Sequence, residues 1–355
     1  MIRPGTRVIG ALVAVVALTV LAALSIANAR ESATPARAAT DGTVSLAPGP
    51  RLVARSTAPG SAGRLVSVPA GAPAGKRIVS SLSCARVYAS GGNGLCLRLD
   101  GGLTTYQLVV LDTHLHTIRE IPLVGVPDRA RLSPSGRMAA WTVFVTGDSY
   151  NGGRFSTRAG ILDTRTQELV PTLEDWTVTV AGKPYRASDR NFWGVTFASD
   201  DRHFYATMST TGHRYLVLGD MAAHRLRTLT DHVECPSLSP DGTRIAFKSA
   251  HGGDPARGWR LSVLDLATHR VTPLAETRSV DDQAAWTDLH TVAYALPRGR
   301  DHSDVWAVPA DGTGTPHVLI PDAESPAALG TTTPHVLIPD AESPAALGTT
   351  TPEAQ

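Results

Sequence analysis

The stretch CPSLSPDGTRIAFKSAHGGDPARGWRLSVLDLATHRVTPLAE, from Cys235 to Glu276, decides the fold. At its centre Pro240-Asp241-Gly242 has the residues of a tight turn. Proline presets φ, the aspartate side chain caps the turn, and glycine takes the left-handed position. An apolar strand follows from Arg244 to Phe247, then a polar loop and a third strand from Leu261 to Leu264. A turn led by Asp265 delivers a fourth strand from Arg270 to Leu274. Four antiparallel strands in about 40 residues make one propeller blade.

The same grammar recurs in both directions. Ala130 to Phe144 (ARLSPSGRMAAWTVF) repeats the first hairpin, as does Val195 to Ser209 (VTFASDDRHFYATMS). Thr105 to Asp112 (TYQLVVLD) belongs to a unit that starts near Cys84, and the last unit runs from Ala284 to Pro321. Val44 to Leu82 aligns with the Cys235 unit strand for strand, which makes Val44–Leu46 the expected inner strand of the first blade. Third strands end in Asp112, Asp163, Asp220 and Asp265. Six units are counted between Val44 and Pro321. A sheet with two partly apolar faces cannot bury both alone, so such units wrap around an axis. The expected fold class is all-β, a six-bladed propeller of four-stranded antiparallel blades. It is preceded by an amino-terminal signal or anchor helix.

LSPDGTRIAF, Leu238 to Phe247, resembles the WD40-like repeat of TolB-type six-bladed propellers, which also occurs in prolyl-oligopeptidase-type enzymes. The resemblance spans residues 42 to 322, although the other copies depart from the Asp-Gly turn. The chain is also similar to exported TolB-like proteins of high-GC Gram-positive bacteria. The motif specifies fold and says little about function. TolB works in an envelope complex spanning two membranes, but no segment here matches a partner-binding segment of that system.

Composition narrows the classes further. With 33 Lys+Arg against 32 Asp+Glu the net charge is +1 and no basic run occurs, so nucleic acid is not an expected partner. Three cysteines cannot make a disulfide framework or a zinc cluster. Cys84 and Cys96 flank one hairpin and could bridge in an oxidising compartment, leaving Cys235 free.

The first residues read as an export signal. Arg3 and Arg7 precede an apolar run from Val8 to Ala27, followed by Ala27-Asn28-Ala29. About 20 apolar residues also suffice to cross a bilayer. Residues 1–29 are therefore a cleaved signal peptide or a retained anchor. Residues 30–42 form a linker, 43–322 the propeller and 323–355 a tail, all outside the cytoplasm on either reading. Thr315–Thr332 (TPHVLIPDAESPAALGTT) recurs unchanged as Thr333–Thr350. The second copy is expected to be a disordered tail. Alternatively, either copy fits the same slot. Within the first copy, Ser325 to Leu329 could return as an inner strand of blade one.

No catalytic or metal set is expected. The hydrolase domain that accompanies this propeller in enzymes needs about 200 residues and a G-x-S-x-G elbow. About 34 residues follow blade six, and Gly147-Asp148-Ser149-Tyr150-Asn151 ends in asparagine. His114 and His116 read as a solvated turn, and Asp301-His302-Ser303-Asp304 as a polar loop. Trp141, Trp286 and Trp306 read as core.

Loop lengths point instead to one face. The connections Thr146–Arg158, Glu174–Trp193, Ser249–Arg260, Thr277–Gln283 and Pro297–Ser303 are assigned to the channel mouth, opposite the tight turns. Their polar and aromatic residues nominate Asp148, Tyr150, Asn191, Trp193, Glu234, Asp281, Asp282 and Gln283 as ligand-binding candidates. The resulting expectation is a non-catalytic, monomeric, extracytoplasmic module with no cofactor. It would bind a small polar ligand, a peptide or an envelope protein, and would touch membrane only through an uncleaved first segment. The alternatives are a propeller hydrolase or lyase using mouth carboxylates, or a scaffold of a membrane-associated envelope complex.

Overall fold

The computed structural model describes residues 42–101, 105–145 and 156–330. The export segment, most of the linker, the second copy of the duplication, Asp148 and Tyr150 lie outside these residues.

Turn chemistry builds the strands into hairpins as the repeat requires. In the Cys235 unit, Gly242 N–H donates to Ser239 O (2.9 Å), and the Ser239 hydroxyl accepts from Arg244 N–H (3.0 Å). Gly242 has φ +72°, the value that glycine supplies without strain. Ser133, Gly136 and Met138 repeat these bonds in the Ala130 copy. The third-strand aspartates cap the next turn. Asp163 accepts from Arg165 N–H (2.9 Å), Asp220 from Ala222 N–H (3.0 Å) and Asp265 from Thr268 N–H (2.8 Å).

The hairpins assemble into six sheets, each with four antiparallel strands that open on an inner strand. From blade two to blade six the inner strands are Arg86–Ser90, Val126–Leu132, Asn191–Phe197, Glu234–Leu238 and Ala285–Trp286. Each inner strand contacts the next around the ring, and the Ala285–Trp286 strand meets Ala323–Ala328, which meets Arg86–Ser90.

Burial follows from strand periodicity. Along Arg244–Ala250, Ile245 and Phe247 join a core cluster with Leu216 and Val233 of blade four. The intervening Ala246 joins Val292 and Tyr294 of blade six. Successive side chains alternate between faces, so each sheet buries one face against each neighbour. Core clusters accordingly lie at the blade one–two, two–three, three–four, four–five, five–six and six–one boundaries. Trp141 and Trp286 are buried in this core, and Trp306 is half-buried under the Arg278 guanidinium, 3.8 Å from its ring centre.

Three expectations are corrected. Of the two segments that competed for the inner strand of blade one, Val44–Leu46 is excluded and the Ser325–Leu329 alternative holds with shifted bounds, as Ala323–Ala328, which pairs antiparallel with Arg51–Ser56 (Leu52 opposite Ala328, Arg55 opposite Glu324). Val44 and Leu46 are buried between blades one and two outside any strand, with Leu46 N–H donating to Thr113 O at 2.8 Å. The propeller therefore extends past 322, because the closing strand comes from the first copy of the duplication. Its preceding His317–Ile320 segment is the outer strand of blade six.

The Glu174–Trp193 connection, finally, does not open at the mouth. Thr177–Val180 and Lys183–Tyr185 form a hairpin that adds to the outer edge of blade four, parallel to Arg225–Thr230, making six strands. Arg190 fixes it by donating to the carbonyls of Glu174, Trp176 and Ala187.

Candidate functional site

The inner strands carry a local device that the repeat pattern did not reveal. Each is the last strand of its sheet, so its free edge faces the channel and tolerates proline, which has no N–H to donate. Glu234-Cys235-Pro236 opens the inner strand of blade five, and Glu324-Ser325-Pro326 lies in that of blade one. The middle residues, Cys235 (φ +49°) and Ser325 (φ +53°), take the left-handed conformation. Pairing slips by a residue at both places, between Glu234 and Ser237 and between Val53 and Arg55. The same slip occurs at Trp193–Thr196, where Gly194 has φ +65°, and at Pro127–Arg129. Bulges of this kind re-aim side chains at rims and sites.

Charge collects at these entrances. Glu234 is paired in register with Lys248, and Glu324 with Arg55. Lys248 Nζ donates to Asp281 and sits 4.4 Å from the centre of the Trp259 ring. Arg129 donates to Asp128 (2.6 Å), and Glu324 bridges Arg55 (3.0 Å) and Arg86 (3.3 Å).

Glu234 is 6 % exposed and accepts no hydrogen bond among the described residues; Arg214 Nε lies 3.7 Å away. Burial pushes its carboxyl up to about 7, with Asp281 adding to the rise and Lys248 and Arg214 opposing it. At Asp281, an exposed side chain, partial desolvation by its surroundings works against ionisation, but Lys248 with Arg129 and Arg86 holds the carboxyl below its usual range. Burial raises the thiol of the free Cys235.

The remaining candidates are occupied as clamps. Asn191 accepts from Thr157 N–H and hydroxyl and donates to Ser156 Oγ and Thr157 O, tying blade four to blade three. Asp282 accepts from Gln283 N–H and Ala295 N–H, both at 2.9 Å. Gln283 donates to Val195 O (3.2 Å) and Pro236 O (2.8 Å), across the inner strands. Trp193 is 6 % exposed, with Arg214 5.8 Å from its ring centre. Of the described candidates, Glu234 and Asp281 thus come together around Lys248, whereas Asn191 and Gln283 are committed to neighbouring blades and Asp282 to backbone N–H groups at the entrance of blade six.

Sequence reasoning missed Arg86, Asp128, Arg129, Arg131 and Lys248. Aligning the inner strands, with their shared Glu-x-Pro, would have pointed to the first four; Lys248 stands on the second strand of blade five, opposite Glu234.

A central cleft lies beside the cluster, lined by Arg86, Tyr88, Arg129 and Arg131 together with Asp128 and Asp282. It leaves about 20 Å³ for the centres of water-sized molecules. Cys84 and Cys96 are joined by a disulfide, Cα atoms 5.4 Å apart, between the end of blade one and blade two. Among the described residues, no group of three or more His, Cys, Asp or Glu side chains could hold a metal ion.

No protein-family model and no curated protein matches the chain. Among solved structures it is similar to TolB from Acinetobacter baumannii, with TM-score 0.53 and 16 % identity over 79 % of this chain and 67 % of that one. It is also similar to the propeller domain of the Trilobed protease from Pyrococcus furiosus (TM-score 0.38, 12 % identity, 65 % and 69 % covered). A third is the acylaminoacyl peptidase from Pyrococcus horikoshii (TM-score 0.42, 12 % identity, 72 % and 41 % covered). At these identities the likeness is one of fold, and the fold is that of a TolB-like six-bladed β-propeller.

Proposed function

We propose that the chain is an extracytoplasmic binding module whose ligand, a small polar molecule or a segment of peptide or envelope protein, docks at the channel mouth. One observation carries this reading: the largely buried Glu234 accepts no side-chain hydrogen bond from the described residues, only a long contact to Arg214, and sits beside Lys248 and Asp281, the latter adjacent to Asp282 of the central cleft. Buried polar groups in native proteins are normally satisfied, and exceptions concentrate where a ligand supplies the missing partner. The disulfide and the amino-terminal apolar run support placement outside the cytoplasm, secreted or anchored.

The test is a thermal-shift screen of the whole protein against small polar compounds and short peptides, repeated with Lys248→Met and Asp281→Asn. A ligand whose stabilisation disappears in these variants supports the reading. Ligands that act equally on the variants overturn it.

A second reading has a specific observation behind it. Two carboxyls with divergent proton affinities, Glu234 raised and Asp281 lowered, are what an acid–base hydrolase or lyase needs. It stands second because divergent proton affinities of this kind also arise in ion-pair networks that only bind or brace. Turnover of an ester, lactone or glycoside panel, lost in Glu234→Gln, would promote it above binding.

A further inference from the structure

Arg131 carries a charge that the protein does not neutralise. The residue is 5 % exposed, and its Nη2 donates to the backbone carbonyls of Gln283 (3.3 Å) and Ala284. Its guanidinium lies 4.4 Å from the centre of the Tyr88 ring. No carboxylate pairs with it among the described residues, and its Nε–H has no hydrogen-bond partner. The buried Nε–H of Arg129 is likewise unpartnered, although Asp128 engages the other side of that guanidinium. Arg86 shares Glu324 with Arg55.

All three arginines line the central cleft. Two lining carboxylates oppose them, and both are engaged: Asp128 by Arg129, Asp282 by two backbone N–H groups. The lining therefore holds one positive charge in excess. A buried cation left without an anion is costly, and proteins ordinarily pair it.

The shape of the space selects the anion. About 20 Å³ for water-sized centres is room for one or two waters, so a bulky anion cannot enter whole. Guanidinium forks match the planar, two-oxygen face of a carboxylate. We propose that the cleft between Arg86, Arg129 and Arg131 binds one carboxylate group, entering from the mouth, carried by a small organic acid or by the end of a peptide chain. This rests on the mouth being the binding face and names the chemistry it recognises there.

Thermal unfolding of the full chain in sodium acetate, against sodium chloride and sodium sulfate at equal ionic strength, is the primary test. Acetate should raise the midpoint saturably by several degrees. The response should vanish in Arg131→Met, and its half-saturating concentration should rise at least tenfold in Arg86→Gln. Arg86 is a partly exposed side chain, so that variant serves even where Arg131→Met fails to fold.

N-acetyl-diglycine and its C-terminal amide separate the two sources. Stabilisation by the acid at lower concentration than acetate, with none from the amide, assigns a chain end; acetate acting at the lower concentration assigns a small acid. Equal shifts with chloride or sulfate, or an acetate response that survives in the arginine variants, overturn the proposal. A failure here leaves the Lys248 and Asp281 screen untouched, so the two readings fall separately.

Discussion

The inner strands of blades five and one contain the same Glu-x-Pro entrance and meet different fates. Glu324 has two arginines within 3.3 Å, whereas Glu234 has its nearest guanidinium nitrogen at 3.7 Å and no hydrogen bond among the described residues. Both follow from the same backbone slip and left-handed middle residue. The difference therefore lies in what the neighbouring blades present, not in the strand itself. Where the ring seam must hold, the carboxylate is closed into a bridge. One blade before the seam, in blade five, an equivalent carboxylate has no such bridge beside its lysine, and that is where a ligand has something to complete.

Breaking the seam should have the largest effect. A chain ended after Pro321 lacks the closing strand, leaving the inner edge of Arg51–Ser56 unpaired and exposing Leu52, Val53 and Ala54. Lost burial of several apolar side chains, at about 1.5–3 kcal/mol for a large one, adds to lost ladder hydrogen bonds at about 1 kcal/mol each. Urea denaturation should show a loss of at least about 5 kcal/mol, or no cooperative transition. Removal of residues 30–41 from the amino-terminal linker should do neither.

The two glutamates should respond to neutralisation with opposite sign. With its folded carboxyl at about 7, Glu234 takes up a proton on folding between its unfolded value near 4.5 and that point. Native stability thus falls as pH rises through this window, and the full penalty is present above it. Glu234→Gln should be nearly silent at pH 4.5 and stabilising by about 1–2 kcal/mol at pH 8. Melting curves at the two values check this; a destabilised variant at pH 8 would show that its cationic neighbours already satisfy the carboxylate. Glu324→Gln, which removes partly buried bridges to Arg55 and Arg86, should instead cost about 1 kcal/mol at pH 8, and less in high salt.

Legibility divides along the same line. Blade five could be read because its turn donors and acceptors lie within a few residues of one another: Ser239, Asp241 and Gly242 determine their own hairpin. The capping aspartates were legible for the same reason. For blade one the sequence left two closing strands open, Val44–Leu46 and Ser325–Leu329, and could not choose between them, since the deciding pair, Arg55 and Glu324, is 269 residues apart. Ala323–Ala328 also reads poorly as a strand, with Pro326 and three alanines, until its free edge is seen to face the channel. The outer hairpin of blade four was hidden because a short Gly182 turn in a polar stretch resembles any long loop. Mouth candidates were chosen by loop membership. Loop membership does not distinguish Asn191, spent on Thr157, from Lys248, one of three lysines in the chain.

The smallest effect concerns the repeated carboxyl-terminal segment. The first copy fills both slots at the seam, the outer strand of blade six and the inner strand of blade one, so no strand of the described sheets is left to recruit the second. The sequences being identical, entropy decides which copy holds the place. From Pro309 the first copy reaches His317 across seven residues, while the second would need 25 to bring His335 to the same position. By loop-closure entropy that difference disfavours the second copy by about 1 kcal/mol. Deleting residues 333–355 should therefore shift the melting midpoint by less than about 1 °C, since the copy already in place carries the seam. A substantial fall would mean that the second copy, not the first, carries the closing strand in solution.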